Sequence, residues 1–342
     1  MMIPEFVLRP VKNSDLPQLT ELVRHSAGGM TTLPEHPEGL EARVHESCRA
    51  FDHRVRKPGG EVYLFVLEEV SKGRIIGTSG IISRVGGFDP FYTYSIKDVL
   101  QEYEALGISK TIQLLKLNRN HKGPSEICSL FLHPDFRHHG LGKLLSLSRF
   151  CFMKTFPERF DESVIAELRG YIDPKGKSPF WEAVGKKFFW SDYYTADILC
   201  GIGEKDFIEA LMPEHPIYVN LLSGSARSVI GKVHPHTEPA RALLLKEGFK
   251  TTDEIDIFDA GPILKARLVE LASWNSSRQS KCFVSDKPLQ NTRQALVTNM
   301  SLDFRATVTD IQPKEDGSCL LSVETAGLLN VRDNSQIQIL FT

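Results

Sequence analysis

The chain has 342 residues, enough for about two domains. Its 41 lysines and arginines against 43 aspartates and glutamates leave a formal charge of −2, which speaks against a general nucleic-acid binder and against a polybasic membrane-surface protein. Hydrophobic residues at 41% and charged residues at 25% suit a chain with a large buried core and exclude disorder as its default state.

No apolar run approaches the roughly 18 residues of a membrane-spanning helix, and the N-terminal segment lacks the pattern of a secretory signal. The six cysteines are scattered and form no CxxC pair, so neither a zinc knuckle nor a disulfide framework is expected, and a reduced cytoplasmic protein is.

In chain order, Phe6 to Val11 reads as a strand. Asn13-Ser14-Asp15 offers caps for a helix carrying Leu16, Leu19, Leu22 and Val23, which Gly28-Gly29 would end. Leu40 to about Val55 reads as a second amphipathic helix. Val62–Leu67 and Ile75–Ile82, joined across Ser71-Lys72-Gly73, read as a hairpin. Residues 86–124, with their aromatic cluster, read as an insertion carrying one or two strands. A buried strand from Ile127 then leads through a loop into a long apolar helix, Leu141 to about Phe156. Ser163–Ile172 reads as a strand and Phe180–Phe189 as a helix. Beyond about residue 265, short alternating runs at 295–297, 306–308, 319–323 and 336–340 predict a small all-β appendage. The expected division is therefore 1–265 and 266–342.

The most informative stretch is Leu130-Phe131-Leu132-His133-Pro134-Asp135-Phe136-Arg137-His138-His139-Gly140-Leu141-Gly142-Lys143. A strand enters a proline-containing loop, an Arg-x-x-Gly-x-Gly sequence follows, and an apolar helix begins. Backbone N–H groups of the loop and of the first helical turn can cradle anionic oxygens. Gly140 and Gly142 remove the Cβ atoms that would block the approach, and Arg137 and Lys143 add positive charge. His138 and His139 read as lining the solvent side of this loop. The spacing differs from that of nucleotide triphosphatases and of a first-unit dinucleotide fingerprint.

This strand–loop–helix resembles the pyrophosphate-binding motif of the GNAT superfamily of CoA-dependent N-acyltransferases. The preceding order of strand, two helices and hairpin fits as well. The resemblance implies an α+β fold, with a mixed, mostly antiparallel sheet flanked by helices, and a strand at Leu130 whose backbone holds the pantetheine arm and thioester carbonyl. A closer resemblance, from about residue 6 to 265, is to bacterial arginine N-succinyltransferases. It is carried by Gly28-Gly29-Met30-Thr31-Thr32-Leu33-Pro34, by Ser125 to Leu132, by Ala166-Glu167-Leu168-Arg169-Gly170 and by Ser178-Pro179-Phe180-Trp181. His215-Pro216-Ile217-Tyr218, Val233-His234-Pro235, Pro239 to Phe249 and Ile255 to Pro262 complete it.

That family resemblance implies transfer of succinyl from succinyl-CoA to the α-amine of L-arginine, with no prosthetic group and no metal. It implies a homodimer or pairing with a homologous subunit, and some relatives accept ornithine. It carries the succinyl-CoA contact onto Leu130 and the proton donor onto His234. The chemistry is coherent, since amide formation from a thioester needs a stabilised oxyanion and a proton for the departing thiolate. The usual tyrosine acid of GNAT enzymes is absent from Phe180-Trp181-Glu182, and an imidazole can take its place. A CoA-binding regulatory protein without turnover is the alternative of another class.

Other residues admit two readings each. His234 alone reads equally as a loop histidine before Pro235, and His234 with His236 makes a poor metal pair. Gly28 to Pro34 either shapes the acceptor pocket or caps a helix. Glu126 and Glu167 either orient the amine or sit exposed at strand edges. Asp256 and Asp259 either grip a guanidinium or fasten the turn before Gly261-Pro262. Arg169 or Arg241 is available for a carboxylate of the substrate or of the succinyl tail.

Overall fold

The computed structural model describes residues 5–25, 32–87, 90–137, 140–189, 191–193, 195, 196, 199 and 206–341. Its first ten strands are β1 (Phe6–Pro10), β2 (Val62–Glu69), β3 (Arg74–Ile82), β4 (Phe91–Tyr103), β5 (Ile108–Asn120), β6 (Ser125–Leu132), β7 (Ser163–Glu167), β8 (Ile217–Tyr218), β9 (Lys250–Ile255) and β10 (Pro262–Arg267). They lie side by side in the order β1-β2-β3-β6-β7-β10-β9-β4-β5-β8. Every neighbouring pair is antiparallel except β6–β7.

Helices α1 (Leu16–Arg24) and α2 (Pro37–Ala50) cover one face of this sheet, and α3 (Leu141–Thr155) covers the other. The alternation of β2 explains the two-sided core. Leu64 and Val66 point to α1 and α2, while Tyr63, Phe65 and Leu67 point to α3. The α3 cluster is dominated by Phe150, Phe152 and the aromatic rings packed on them.

Two irregularities position the site. The parallel ladder of β6 with β7 holds only at Ser125↔Val164 and Glu126↔Ile165. Beyond it a wedge opens, lined on one side by Ile127–Leu132 and on the other by Ala166–Arg169. On its other edge β6 pairs with β3 at Gly80↔Cys128 and Thr78↔Phe131, so Ser129 and Leu130 together stand opposite Ser79. This is a β-bulge, and Ser129 adopts φ +49° to make it.

The C-terminal strands are β11 (Arg278–Ser285), β12 (Arg293–Asn299), β13 (Ala306–Pro313), β14 (Cys319–Ser322) and β15 (Gln336–Phe341). They pair in the cycle β12-β15-β11-β14-β13-β12 and close a five-stranded barrel. Strand β13 also joins the core sheet at Leu8↔Ala306, where Thr307 Oγ1 donates to the Phe6 carbonyl at 2.7 Å.

The segment read as an insertion with one or two strands carries two, β4 and β5, of thirteen residues each, and their hairpin extends the sheet beyond β9. Other elements differ from their sequence reading. The run at 319–323 stops as a strand at Ser322, because the Ser322 side chain accepts from the Thr325 N–H and starts the helix Val323–Leu329. The appendage is thus a β-barrel that includes this short helix, preceded by another at Ala272–Ser276. The expected helix Phe180–Phe189 breaks into α4 (Pro179–Ala183) and α5 (Gly185–Phe188). A Cβ at Gly185 would lie 2.1 Å from the Trp181 ring, so glycine there admits the indole against the backbone. Strand β7 ends at Glu167, and α2 at Ala50.

Candidate active site

The wedge between β6 and β7 is part of a cavity of about 1000 Å³ that runs from the start of α3 to the turn after Val233. At one end, β6 gives way to a short turn at Pro134–Phe136, and α3 begins after Gly140, whose φ is +71°. Arg137 Nε donates to the Leu132 carbonyl at 3.2 Å, which holds the exposed guanidinium at the mouth. Arg137, Gly140, Gly142 and Lys143 all line the cavity, and a Cβ at either glycine would meet no atom within 4 Å. Both glycines therefore face open space, as a cradle for an anion requires. His138 and His139 lie outside the described residues.

Leu130 lines the middle of the cavity, on the bulge. Ser129 Oγ lies 3.0 Å from Thr32 Oγ1 and donates to the Thr32 carbonyl at 3.1 Å. Thr32 also lines the cavity, so the end of the segment that precedes Pro34 is tied to the bulge. Gly28 to Thr31 lie outside the described residues.

His234 stands at the other end. Its backbone N–H donates to the Arg169 carbonyl at 2.8 Å, beside the Gly170–Val233 bridge. Its Nδ1 accepts the His236 N–H at 3.2 Å and caps the turn Pro235–Thr237. The neutral ring accordingly carries its proton on Nε2. Burial first, then the charges of Arg169 and His236, push its pKa below the ordinary imidazole value. Arg169, Pro235, His236 and Thr237 line the cavity; His234, half-buried and adjoining Pro235 in the chain, is not itself among the lining residues. His133 before Pro134 caps its own turn in the same way, its Nδ1 accepting the Asp135 N–H at 3.3 Å. The cap is thus a property of the His-Pro-x sequence and is not by itself a catalytic feature.

The acidic residues divide. Glu126 is 4% exposed and Glu167 half-buried, and both line the cavity, contrary to a reading as exposed strand-edge carboxylates. Asp259 spends both oxygens on backbone donors, Gly170 N at 2.7 Å and Gly261 N at 2.8 Å. Asp256 Oδ1 accepts from Phe258 N at 2.7 Å and Asp259 N at 2.8 Å. Burial raises the pKa of both, Asp259 well above the usual carboxylate range. They fasten the turn, which is the second of their two sequence readings. Arg241 pairs with Glu238 at 3.5 Å and is not part of the cavity wall, whereas Arg169 is.

Arg149 was not singled out by its sequence. It lies in the middle of α3, is 3% exposed, and lines the cavity. Its partners are all neutral: the Ser146 carbonyl at 3.3 Å, Ser146 Oγ at 3.0 Å and the Cys128 carbonyl at 3.4 Å. Burial pulls its pKa down to about 10. The signal was present as one charge inside Leu144-Leu145-Ser146-Leu147-Ser148-Arg149-Phe150-Cys151-Phe152. Cys128, across from it, has its thiol pushed up to about 12 by burial, which disfavours a thiolate nucleophile. Among the described residues no three His, Cys, Asp or Glu side chains could hold a metal ion, and no helix is long and apolar enough to cross a membrane.

The arginine N-succinyltransferase beta subunit family model matches residues 6–273, and the model of that subunit's C-terminal domain matches residues 280–341. The arginine N-succinyltransferase of Salmonella schwarzengrund (strain CVM19633) is 42% identical over 319 residues, covering 90% of this chain and 92% of that one. That of Escherichia coli (strain K12 / DH10B) is 41% identical over the same length and shares. The solved structure of arginine/ornithine succinyltransferase subunit AI from Pseudomonas aeruginosa covers 99% of both chains at 34% identity, with a TM-score of 0.88. Matched by family models along nearly all its length and by relatives at 42% and 34% identity, the chain belongs to the arginine N-succinyltransferase family.

Proposed function

We propose that this protein transfers the succinyl group of succinyl-CoA to the α-amine of L-arginine, releasing CoA and N2-succinylarginine. The observation that carries this reading is the continuous cavity from the Arg137–Lys143 loop, past Leu130, to the Arg169–His234 turn. In it, the CoA pyrophosphate sits on the N–H groups at Gly140 and Gly142 with Arg137 and Lys143 beside it. The thioester lies along β6, its carbonyl oxygen on the Leu130 N–H.

The neutral amine attacks the thioester carbon, and the carbonyl oxygen becomes an oxyanion held at Leu130. The carbonyl re-forms as the C–S bond breaks, so the sulfur must gain one proton while the nitrogen sheds one. The protonated His234 donates its Nε2 proton to the sulfur, and the neutral ring so formed takes up the proton shed by the nitrogen, which restores the imidazolium. The raised thiol of Cys128 favours direct transfer over a covalent acyl-enzyme. Arg169, beside His234, is placed to take the acceptor's α-carboxylate.

The enzyme is proposed to work in the cytoplasm, as a homodimer or with a homologous subunit, and to divide near residue 266 into the acyltransferase unit and the barrel. Ornithine is the second acceptor to consider, because the Pseudomonas aeruginosa relative is described as an arginine/ornithine succinyltransferase. A matrix of acyl-CoA donors against amino-acid acceptors, read as thiol release, tests the assignment. Release from succinyl-CoA accelerated by arginine is expected. No acceleration by arginine, ornithine or related amines overturns it and favours a CoA-binding protein without turnover.

A further inference from the structure

We propose that Arg149 binds the free carboxylate of the acyl donor and thereby selects a succinyl over a simple acyl thioester. The proposal rests on the acyl-CoA reading of the cavity and adds a donor-recognition residue to it.

A guanidinium buried to 3% exposure normally has a carboxylate beside it, because removing an uncompensated charge from water is costly. Among the described residues no ion pair includes Arg149. It makes three hydrogen bonds, all to neutral oxygens, and a guanidinium has five N–H donors. Two donors and the full charge therefore remain unmatched on a cavity wall. The other cations on that wall differ. Arg43 pairs with Glu46 at 3.2 Å and Arg84 with Asp161 at 3.2 Å. Arg137 and Lys143 are exposed at the phosphate end, and Arg169, whose buried Nε also lacks a partner, stands at the other end beside the His234 turn.

The position fits the acyl chain. Arg149 is fixed to the Cys128 carbonyl, two residues before Leu130 and so farther along β6 from the phosphate loop, with the bulge at Ser129 shortening that step below the roughly 6.6 Å of a regular strand. A succinyl chain carries its carboxylate carbon three bonds beyond the thioester carbon, roughly 4 Å away. A charge-assisted hydrogen bond spans the remainder. An acetyl or butyryl chain would enclose the guanidinium without answering its charge, and sites with unmatched buried polar groups reject such analogues strongly.

The test compares kcat/KM for succinyl-CoA and butyryl-CoA, which has similar length and no carboxylate, in the native enzyme, Arg149→Gln and Arg169→Gln. The native enzyme should prefer succinyl-CoA by about 100-fold or more. Arg149→Gln should lose most of that preference, chiefly through the succinyl-CoA value, and Arg169→Gln should keep it. An unchanged donor ratio in soluble, folded Arg149→Gln overturns the proposal. If that variant does not fold, the native enzyme decides: equal use of butyryl-CoA and succinyl-CoA overturns it, and a strong preference retained in Arg169→Gln supports it. No turnover of any acyl-CoA by the native enzyme would instead remove the functional reading on which the proposal stands.

Discussion

His234 hangs from Arg169: its backbone N–H donates to the Arg169 carbonyl at 2.8 Å, so the end of β7 sets where the imidazole stands. Because that bond is made by the backbone, it survives substitution of the ring. His234→Ala is expected to lower kcat by about 10²–10³ with little change in the KM for succinyl-CoA. His234→Gln, which keeps an N–H donor on a similar reach, should retain part of that rate. Both variants lose the cap on His236 N and should share a modest fall in Tm. Equal loss of kcat and of CoA affinity would mark His234 as structural.

The pH dependence follows from the same hydrogen bond. With Nδ1 accepting from His236 N, protonation would set two donors against each other, consistent with a lowered pKa. The protonated ring is the donor, so its contribution is complete below the lowered pKa and is lost as pH rises through it. The kcat profile should therefore fall on its alkaline side at a pH below the ordinary imidazole value, and His234→Gln should flatten that limb relative to the native enzyme. A native profile with no such fall contradicts this assignment.

At the phosphate loop, Gly142→Ala separates binding from folding. The added methyl meets no protein atom within 4 Å, so Tm should be nearly unchanged. The methyl would occupy the space assigned to phosphate, and the KM for succinyl-CoA should rise about tenfold, as it should in Arg137→Ala. Gly140→Ala places a side chain at φ +71° and should cost about 1 kcal/mol in stability besides. An unaltered KM in both Gly142→Ala and Arg137→Ala would exclude the loop as the CoA cradle.

Asp259→Asn is a test of the turn. An amide nitrogen cannot accept from both Gly170 N and Gly261 N, so one buried donor loses its partner at about 1–3 kcal/mol. The raised pKa gives a sign as well. Native stability from Asp259 is present below the ordinary aspartate value and declines as pH rises through the raised one. The deficit of the variant, measured by denaturant unfolding, should therefore shrink from acidic toward neutral pH. A deficit that grows with pH would contradict the raised value.

The parts legible in the sequence are those where local chemistry and function coincide. Arg137 and Gly140 stand between a strand and a helix, Gly142 and Lys143 in the first turn of that helix, and Leu130 on the strand before them, in the order the sequence implied. The bulge that gives Leu130 its place was not legible, because Ser129 at φ +49° carries no glycine signal. The strands of the 86–124 insertion were anticipated but not their bounds or length, because the outer half of the β4–β5 hairpin is exposed except at Ile112 and lacks the alternation that marks a half-buried strand. Gly185 interrupted a helix for the sake of the distant Trp181 ring, a tertiary effect. Arg149 escaped because one charge in an apolar helix is usually a surface residue. Only its placement over Cys128 shows that it faces a cavity.

The junction of β1 with β13 has a consequence for the order in which the molecule can be made. Strand β1 leaves the ribosome about 300 residues ahead of its outer neighbour, as the Thr307–Phe6 hydrogen bond records. At about 5–20 residues per second, that edge stays unpaired for roughly 15–60 s of synthesis. The acyltransferase sheet can assemble from β2 onward in that interval, but with one open strand edge exposed to other nascent chains. Truncation before residue 306 would make this transient hazard permanent, whatever it leaves of the catalytic cavity.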